Sequence, residues 1–136
     1  MEHLSPEVLQ ARIFEVVNPY NRGLILVRDA QEKRLLAKLN LTAGKKAKDS
    51  VAYASAYRYL QIGLGLLDDT CWENDYPLTL ELYLETAETA YICGYFAQMS
   101  RLNIVILKKA KTLLEKIRAH ELQIKGDRAE NKLLRS

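Results

Sequence analysis

Apolar residues along this chain recur at three- and four-residue spacings, the repeat of a helix face. The clearest stretch runs from Pro77 to Cys93. Leu78, Leu82, Ala87, Ala90, Tyr91 and Cys93 fall on one side of a helix there, and Glu81, Glu85 and Glu88 fall on another. Pro77 sits in the first turn, where its missing N–H costs little, and Gly94 follows the last apolar position, where a left-handed residue can close a helix. A second apolar run begins at once from Tyr95. So short a connection predicts antiparallel neighbours that share Ala87, Ala90 and Cys93 with Phe96, Met99, Leu102 and Ile106.

The same pattern extends to both ends. Ser5-Pro6-Glu7 opens a helix with a capping hydroxyl, a preset proline and an acid at the positive end of the dipole. Its buried stripe is Leu9, Ile13, Phe14, Val16 and Val17. Pro19 is expected to end or kink that helix near Asn18, because proline removes a hydrogen bond and crowds the preceding turn. The apolar run from Gly23 to Val27 fits strand or helix by periodicity alone, and with no partner strand nearby it is read as the end of a first helical hairpin. Asp29 caps the next helix, which gathers Leu35, Leu36, Leu39, Ala43 and Ala47 on one face. A partner helix from Val51 to Leu67 buries Ala52, Ala56, Tyr59, Leu60, Gly63 and Leu67, and Asp68-Asp69-Thr70 ends it. Beyond Met99 the positions Asn103, Ile106, Ala110, Leu113, Ile117 and Ile124 allow either one long helix or a break near Lys109 to Lys111. Gly126-Asp127 then introduces a short last helix, Arg128 to Arg135.

Set side by side, the second and third hairpins repeat. Gly44, Ala47, Tyr53, Ala56, Leu60 and Gly63 correspond to Ala87, Ala90, Phe96, Met99, Asn103 and Ile106 at a constant offset of 43 residues. Small residues stand where two helices must cross closely, and an aromatic stands where the second helix begins. The order resembles the tetratricopeptide pattern, although that repeat is about 34 residues long. The expected fold is therefore all-α: antiparallel helical hairpins stacked as a short tetratricopeptide-like solenoid of about 2.5 repeats. It forms a single helical-repeat domain over residues 1–136, with hairpins over about 5–28, 29–67 and 76–110 and a half-repeat over 111–136. Gly44, Ala56, Ala87 and Gly94 are its expected helix-crossing residues. Solenoids cap their ends, and the last half-repeat has no cover, so the chain reads as a piece of a longer protein.

Composition agrees with helices. Six Gly and three Pro in 136 residues leave few breaks, and 49% apolar residues suffice for a core. No apolar run approaches the roughly 18 residues that span a bilayer, and MEHLSPEV lacks the zones of a signal peptide, so a cytoplasmic setting without membrane contact is expected. Cys71 and Cys93 are too few for a disulfide framework. The net charge of +3 hides a sorted distribution: residues 68–88 carry seven acids and no base, and residues 101–136 carry ten Lys or Arg against four acids.

Four segments together carry a resemblance: FEVVNPYNRG (14–23), LAKLNLTAGKKAKDSVAYASAYRYLQIGLGLL (36–67), CWENDYPLTLELYLETAETAYICGYFAQM (71–99) and VILKKAKTLLEKIRAHELQI (105–124). In order and spacing they resemble the helical-repeat region of large bacterial multi-sensor signal-transduction kinases. The resemblance implies a parent in which a serine/threonine kinase domain and an AAA-type ATPase domain precede such repeats, and a GAF sensor and a histidine kinase follow. It brings no catalytic residue with it. GDRAENKLLRS stands where further repeats would follow.

The residues themselves offer little chemistry. No glycine-rich loop followed by HRD and DFG runs provides for phosphoryl transfer. Ala43-Gly44-Lys45-Lys46 lacks the upstream Gly and the Ser or Thr after Lys of a phosphate loop. His120-Glu121-Leu122 begins like a phosphoacceptor box, but the Arg or Asn and the Pro that should follow are missing, and a surface histidine is the simpler reading. Glu81, Glu85 and Glu88 lack the mixed ligands of a transition-metal site and read as a solvated face. His3 and His120 are the only histidines, which leaves a nucleophilic triad almost without candidates. No catalytic, cofactor-binding or metal-binding residue is expected, and the chain is not expected to be an enzyme. The aromatics are the interaction candidates: Tyr53, Tyr91 and Tyr95 as core, with Tyr57, Tyr83 and Trp72 as a partner-binding surface. The expected function is a non-catalytic module for protein–protein or interdomain contacts, its partner a protein or neighbouring domains of a signalling kinase. The alternative is a fragment of an ATPase-linked transcriptional regulator that contacts nucleic acid through Lys45, Lys46, Lys48, Lys108, Lys109, Lys111, Lys116 and Arg118; the acidic block weighs against it.

Overall fold

A computed structural model describes residues 12–23 and 29–135, and the expectations for Ser5 to Leu9, for His3 and for residues 24–28 lie outside them. Among the described residues there are seven helices and no strand. They are α1 (Ile13–Arg22), α2 (Ala30–Asp49), α3 (Tyr53–Gly65), α4 (Cys71–Asn74), α5 (Tyr76–Cys93), α6 (Phe96–Lys109) and α7 (Leu113–Arg135). The all-α class follows, as the spacing of apolar residues indicates. The chain divides into two compact units, Met1–Asp68 and Asp69–Ser136, at the Asp68-Asp69-Thr70 stop.

In the first unit, Ile13 and Val17 of α1 pack with Leu36, Leu39 and Ala43 of α2, and Phe14 stacks on Tyr59 of α3 at 5.5 Å. Pro19 does not end α1, which runs on to Arg22. The reason is local. Proline forfeits only its bond to the Glu15 carbonyl, and both Glu15 and Pro19 are exposed, on the side of the helix where an unpaired carbonyl costs least. Asp29 caps α2 as expected, its side chain accepting from the Gln31 N–H at 2.8 Å. The buried faces differ from the expected stripes in detail. Leu35 is 43% exposed, Ala52 is exposed and Tyr59 is half-buried, while Ala56, Tyr57, Leu60 and Gly63 are the buried residues of α3. Gly44 does stand at the α2–α3 crossing: a Cβ there would lie 2.6 Å from Leu60 Cγ and 3.3 Å from the Ala56 carbonyl.

In the second unit, α5 and α6 pack as a hairpin, with Leu80, Leu84 and Ala87 against Ile106 and Ala110. The first part of α5 thus meets the last part of α6, the antiparallel arrangement that a two-residue link requires. Of the two readings left open beyond Met99, the break is the one adopted. α6 stops at Lys109, Ala110 is extended, and α7 starts at Leu113. α7 then runs back along α6. Asn103 Nδ2 donates to Gln123 Oε1 at 3.0 Å, and Gln123 Nε2 donates to Ser100 Oγ at 2.9 Å. Gly126 does not begin a separate helix. It is buried inside α7, and a Cβ there would collide with the Met99 side chain. Gly94, expected at a helix crossing, has nothing within 4 Å of where its Cβ would be; at φ +80° it is the left-handed stop of α5.

The repeat is written into the backbone of the two hairpin turns. Ala52 N–H donates to the Ala47 carbonyl and Tyr95 N–H to the Ala90 carbonyl, the same bond 43 residues apart. Val51 and Gly94, again 43 apart, are the two described residues with positive φ, at 65° and 80°. Ala52 and Tyr95 then precede α3 and α6 with the same geometry, φ/ψ of −87°/67° and −89°/70°.

Candidate interaction surface

A groove runs between α5 and α7. One half, of about 390 Å³, has Tyr76, Leu80, Glu81 and Glu85 of α5 facing Glu115 and Arg118 of α7. The other, of about 350 Å³, has Glu88, Tyr91 and Ile92 facing Arg118, Glu121, Leu122 and Lys125. Leu84 and Arg118 line both halves, so the two are continuous. The base of the groove is apolar, from Leu80, Leu84 and Leu122, and its walls are charged. Glu81, Glu85 and Glu88, expected as a solvated face, form one wall; each is half-exposed and has an interaction within the protein.

α7 is held at its start by an arrangement that sequence reasoning missed. Thr112 and Glu115 form a capping box: Glu115 N–H donates to Thr112 Oγ1 at 3.2 Å, and Thr112 N–H donates to Glu115 Oε1 at 3.0 Å. Tyr76 of α5 joins it. Its hydroxyl donates to Glu115 Oε1 at 2.8 Å and accepts from the Lys111 N–H at 2.8 Å, and Lys111 Nζ lies 4.3 Å from the centre of the Tyr76 ring. Burial alone would raise the Glu115 carboxyl. The hydrogen bonds from Tyr76, Thr112 and Lys111 outweigh it and hold the carboxyl below its ordinary value. Burial pushes the Tyr76 phenol up, and the neighbouring Glu115 adds to this, against the Lys111 N–H. The signal in the sequence was Thr112-x-x-Glu115, placed where the break occurs.

The three aromatics expected to form a partner surface are not brought together. Tyr57 was expected to point outward; it is 8% exposed and belongs to the interior. Trp72 and Tyr83 do meet, with ring centres 5.1 Å apart, and Trp72 also lies 5.7 Å from Tyr76. All three are half-buried against the core of the second unit, and burial raises the Tyr83 phenol. They anchor α4 to α5, a tie that the Thr79 hydroxyl continues by donating to the Cys71 carbonyl at 3.2 Å. Other candidates fall away on geometry. Gly44 to Lys46 lie inside α2, so no phosphate loop exists there, and His120 is exposed on α7. Among the described residues no group of three or more His, Cys, Asp or Glu is placed to hold a metal ion, and no helix is long and apolar enough to cross a membrane.

No protein-family model matches the chain, and no solved structure matches it. Among curated proteins, the hybrid signal transduction histidine kinase G of Dictyostelium discoideum is 32% identical to it over 131 residues. That alignment covers 85% of this chain and 4% of the kinase, so the chain spans a small part of the relative it matches. Over most of its length the chain is therefore related to a stretch of a signal-transduction kinase.

Proposed function

We infer that this chain is a non-catalytic, tetratricopeptide-like module that makes protein–protein or interdomain contacts within a cytoplasmic signal-transduction kinase. The observation that carries this reading is the continuous groove between α5 and α7, apolar at its base and charged along both walls. Such a shape suits an extended or helical segment laid lengthwise, with apolar side chains towards Leu84 and Leu122 and charges towards the walls. The repeated turn geometry of the two hairpins supports a tetratricopeptide-like repeat, and the kinase relative supports the signalling context. Placing a photo-crosslinking amino acid at Tyr91, on the groove wall, tests the reading in cells that produce the chain. A crosslinked protein partner is expected. It should vanish when Ile92→Asp and Arg118→Glu, both exposed positions, are combined; a pattern unchanged by that pair sinks the assignment of the groove.

A further inference from the structure

The first unit holds a pocket of a different character, independent of the groove. About 350 Å³ in volume, it lies between α1 and α3, with Asn18, Asn21 and Arg22 on one side and Ser55, Arg58 and Tyr59 on the other. Its two charged residues are both arginines. Among the described residues neither has an ionic partner, and the Arg58 guanidinium only approaches Ser55 Oγ, at 3.5 Å.

The polar groups around the arginines each have an acceptor oxygen already engaged by a donor of the protein. Tyr59 donates its hydroxyl hydrogen to Asn18 Oδ1 at 2.6 Å, which leaves both Nδ2 protons of Asn18 to donate elsewhere. Asn21 and Asn40 exchange amide bonds at 2.8 and 3.0 Å, which uses Asn21 Oδ1 and leaves it one Nδ2 hydrogen. Ser55 Oγ faces Arg58, so its own hydrogen is free to donate. The pocket thus offers several neutral donors and carries two positive charges. Its framework is fixed: the Asn40 amide is also tied to the Leu36 carbonyl at 2.9 Å, and Phe14 stacks on Tyr59.

A ligand matched to such a lining accepts hydrogen bonds on every side and carries two negative charges. We propose that the pocket between α1 and α3 binds a phosphate dianion, free or as a monoester, with the Arg22 and Arg58 guanidiniums as its charge partners and Asn18, Asn21 and Ser55 as neutral donors. Arginine suits this role because its planar fork meets two phosphate oxygens at once. A carboxylate offers half the charge, and a phosphodiester, as in a nucleic acid, offers one charge and one fewer free oxygen.

The test is titration of the whole chain in phosphate-free buffer, followed by side-chain and backbone amide NMR shifts. The probes are inorganic phosphate, a capped phosphoserine, dimethyl phosphate and acetate. Saturable shifts centred on Asn18, Asn21 and Arg58 are expected with inorganic phosphate and capped phosphoserine and not with acetate. Tighter binding of capped phosphoserine assigns the group to a phosphorylated side chain; tighter binding of inorganic phosphate assigns it to free phosphate. Phosphoserine affinity should rise as pH increases through about 6, where the second proton leaves. Arg22→Gln and Arg58→Gln should each weaken binding on the order of tenfold without changing the thermal melt, since both residues are exposed. Arg118→Gln, in the other unit, should not. Equal response to dimethyl phosphate, shifts spread over all basic residues, or binding that survives both pocket substitutions would each overturn the assignment.

Discussion

Val51 and Gly94 occupy the same place in two turns of the same shape, yet one is the residue worst suited to a positive φ and the other the best. Gly94 takes φ 80° freely. Val51 takes φ 65° with a branched Cβ that crowds its own backbone, and its side chain is 68% exposed, so packing gives little in return. What holds the strained turn is the set of backbone bonds around it, from Ala52 to Ala47 and from Val51 to Lys48, which the Gly94 turn makes at the same positions. Turn geometry in this repeat is imposed by the two helices it joins, and residue preference follows where it can.

The pairs at the helix crossing teach a related lesson. Gly44 and Leu60 in the first hairpin become Ala87 and Asn103 in the second: the small residue grows where the large one shrinks. All four are buried, and Asn103 leaves its Oδ1 without a partner. Gly44→Val should therefore be the most damaging change, costing about 3 kcal/mol through overpacking against Leu60 and the Ala56 carbonyl. Urea denaturation of the chain measures it. Combining Gly44→Ala with Leu60→Ala should cost less than the sum of the two single changes, which would show that the pair shares one volume.

Next in size is the turn itself. Gly94→Val should cost about 2 kcal/mol although its Cβ would enter open space, because the penalty is all backbone. Val51→Gly should gain up to about 1 kcal/mol, since relief of strain is offset by the freedom glycine adds to the unfolded chain. Thermal melts of both variants read the comparison directly; equal and opposite effects would contradict the offset. Smaller still is the start of α7, which has no counterpart in the first unit. Tyr76→Phe should cost about 1 kcal/mol by taking a bond from Glu115 and one from the Lys111 N–H. The depressed Glu115 carboxyl adds stability that is complete above its unfolded value of 4.5 and is lost as pH falls through the lower folded value. Acid should therefore loosen α7 first, as faster amide exchange over residues 113–118, and Glu115→Gln should remove that pH dependence.

Much of this architecture could be read from spacing alone: the Asp29 cap, the Gly94 stop, the offset of 43 and the helical class. Where reading failed, tertiary packing had overridden a local rule. Gly126 looked like a breaker, yet α7 passes straight through it because Met99 needs the room, the same reason that Gly44 sits in α2. Pro19 looked like an end and is tolerated on the exposed side of α1, where the lost hydrogen bond costs least. Tyr57 and Tyr59 traded places because α3 buries neighbours at 56 and 57, and helical spacing alone does not choose between them. The groove could not be read from the sequence: its walls come from α5 and α7, helices whose proximity depends on a break at residues 110–112 that the spacing left open. The pocket of α1 and α3 was equally hidden, because half of its lining, Asn18, Asn21 and Arg22, lies at or beyond the point where Pro19 was expected to end or kink the first helix.

One feature of the second unit has an optical meaning. Trp72 is the single tryptophan of the chain, and it stands against Tyr76 and Tyr83 in the Asp69–Ser136 half. Light at the red edge of the near-ultraviolet, which excites indole and leaves tyrosine dark, therefore sees that half alone. Emission from Trp72 and helical circular dichroism, followed through one denaturation, would keep separate clocks: where they coincide the two halves unfold as one, and where they part the first half has its own transition.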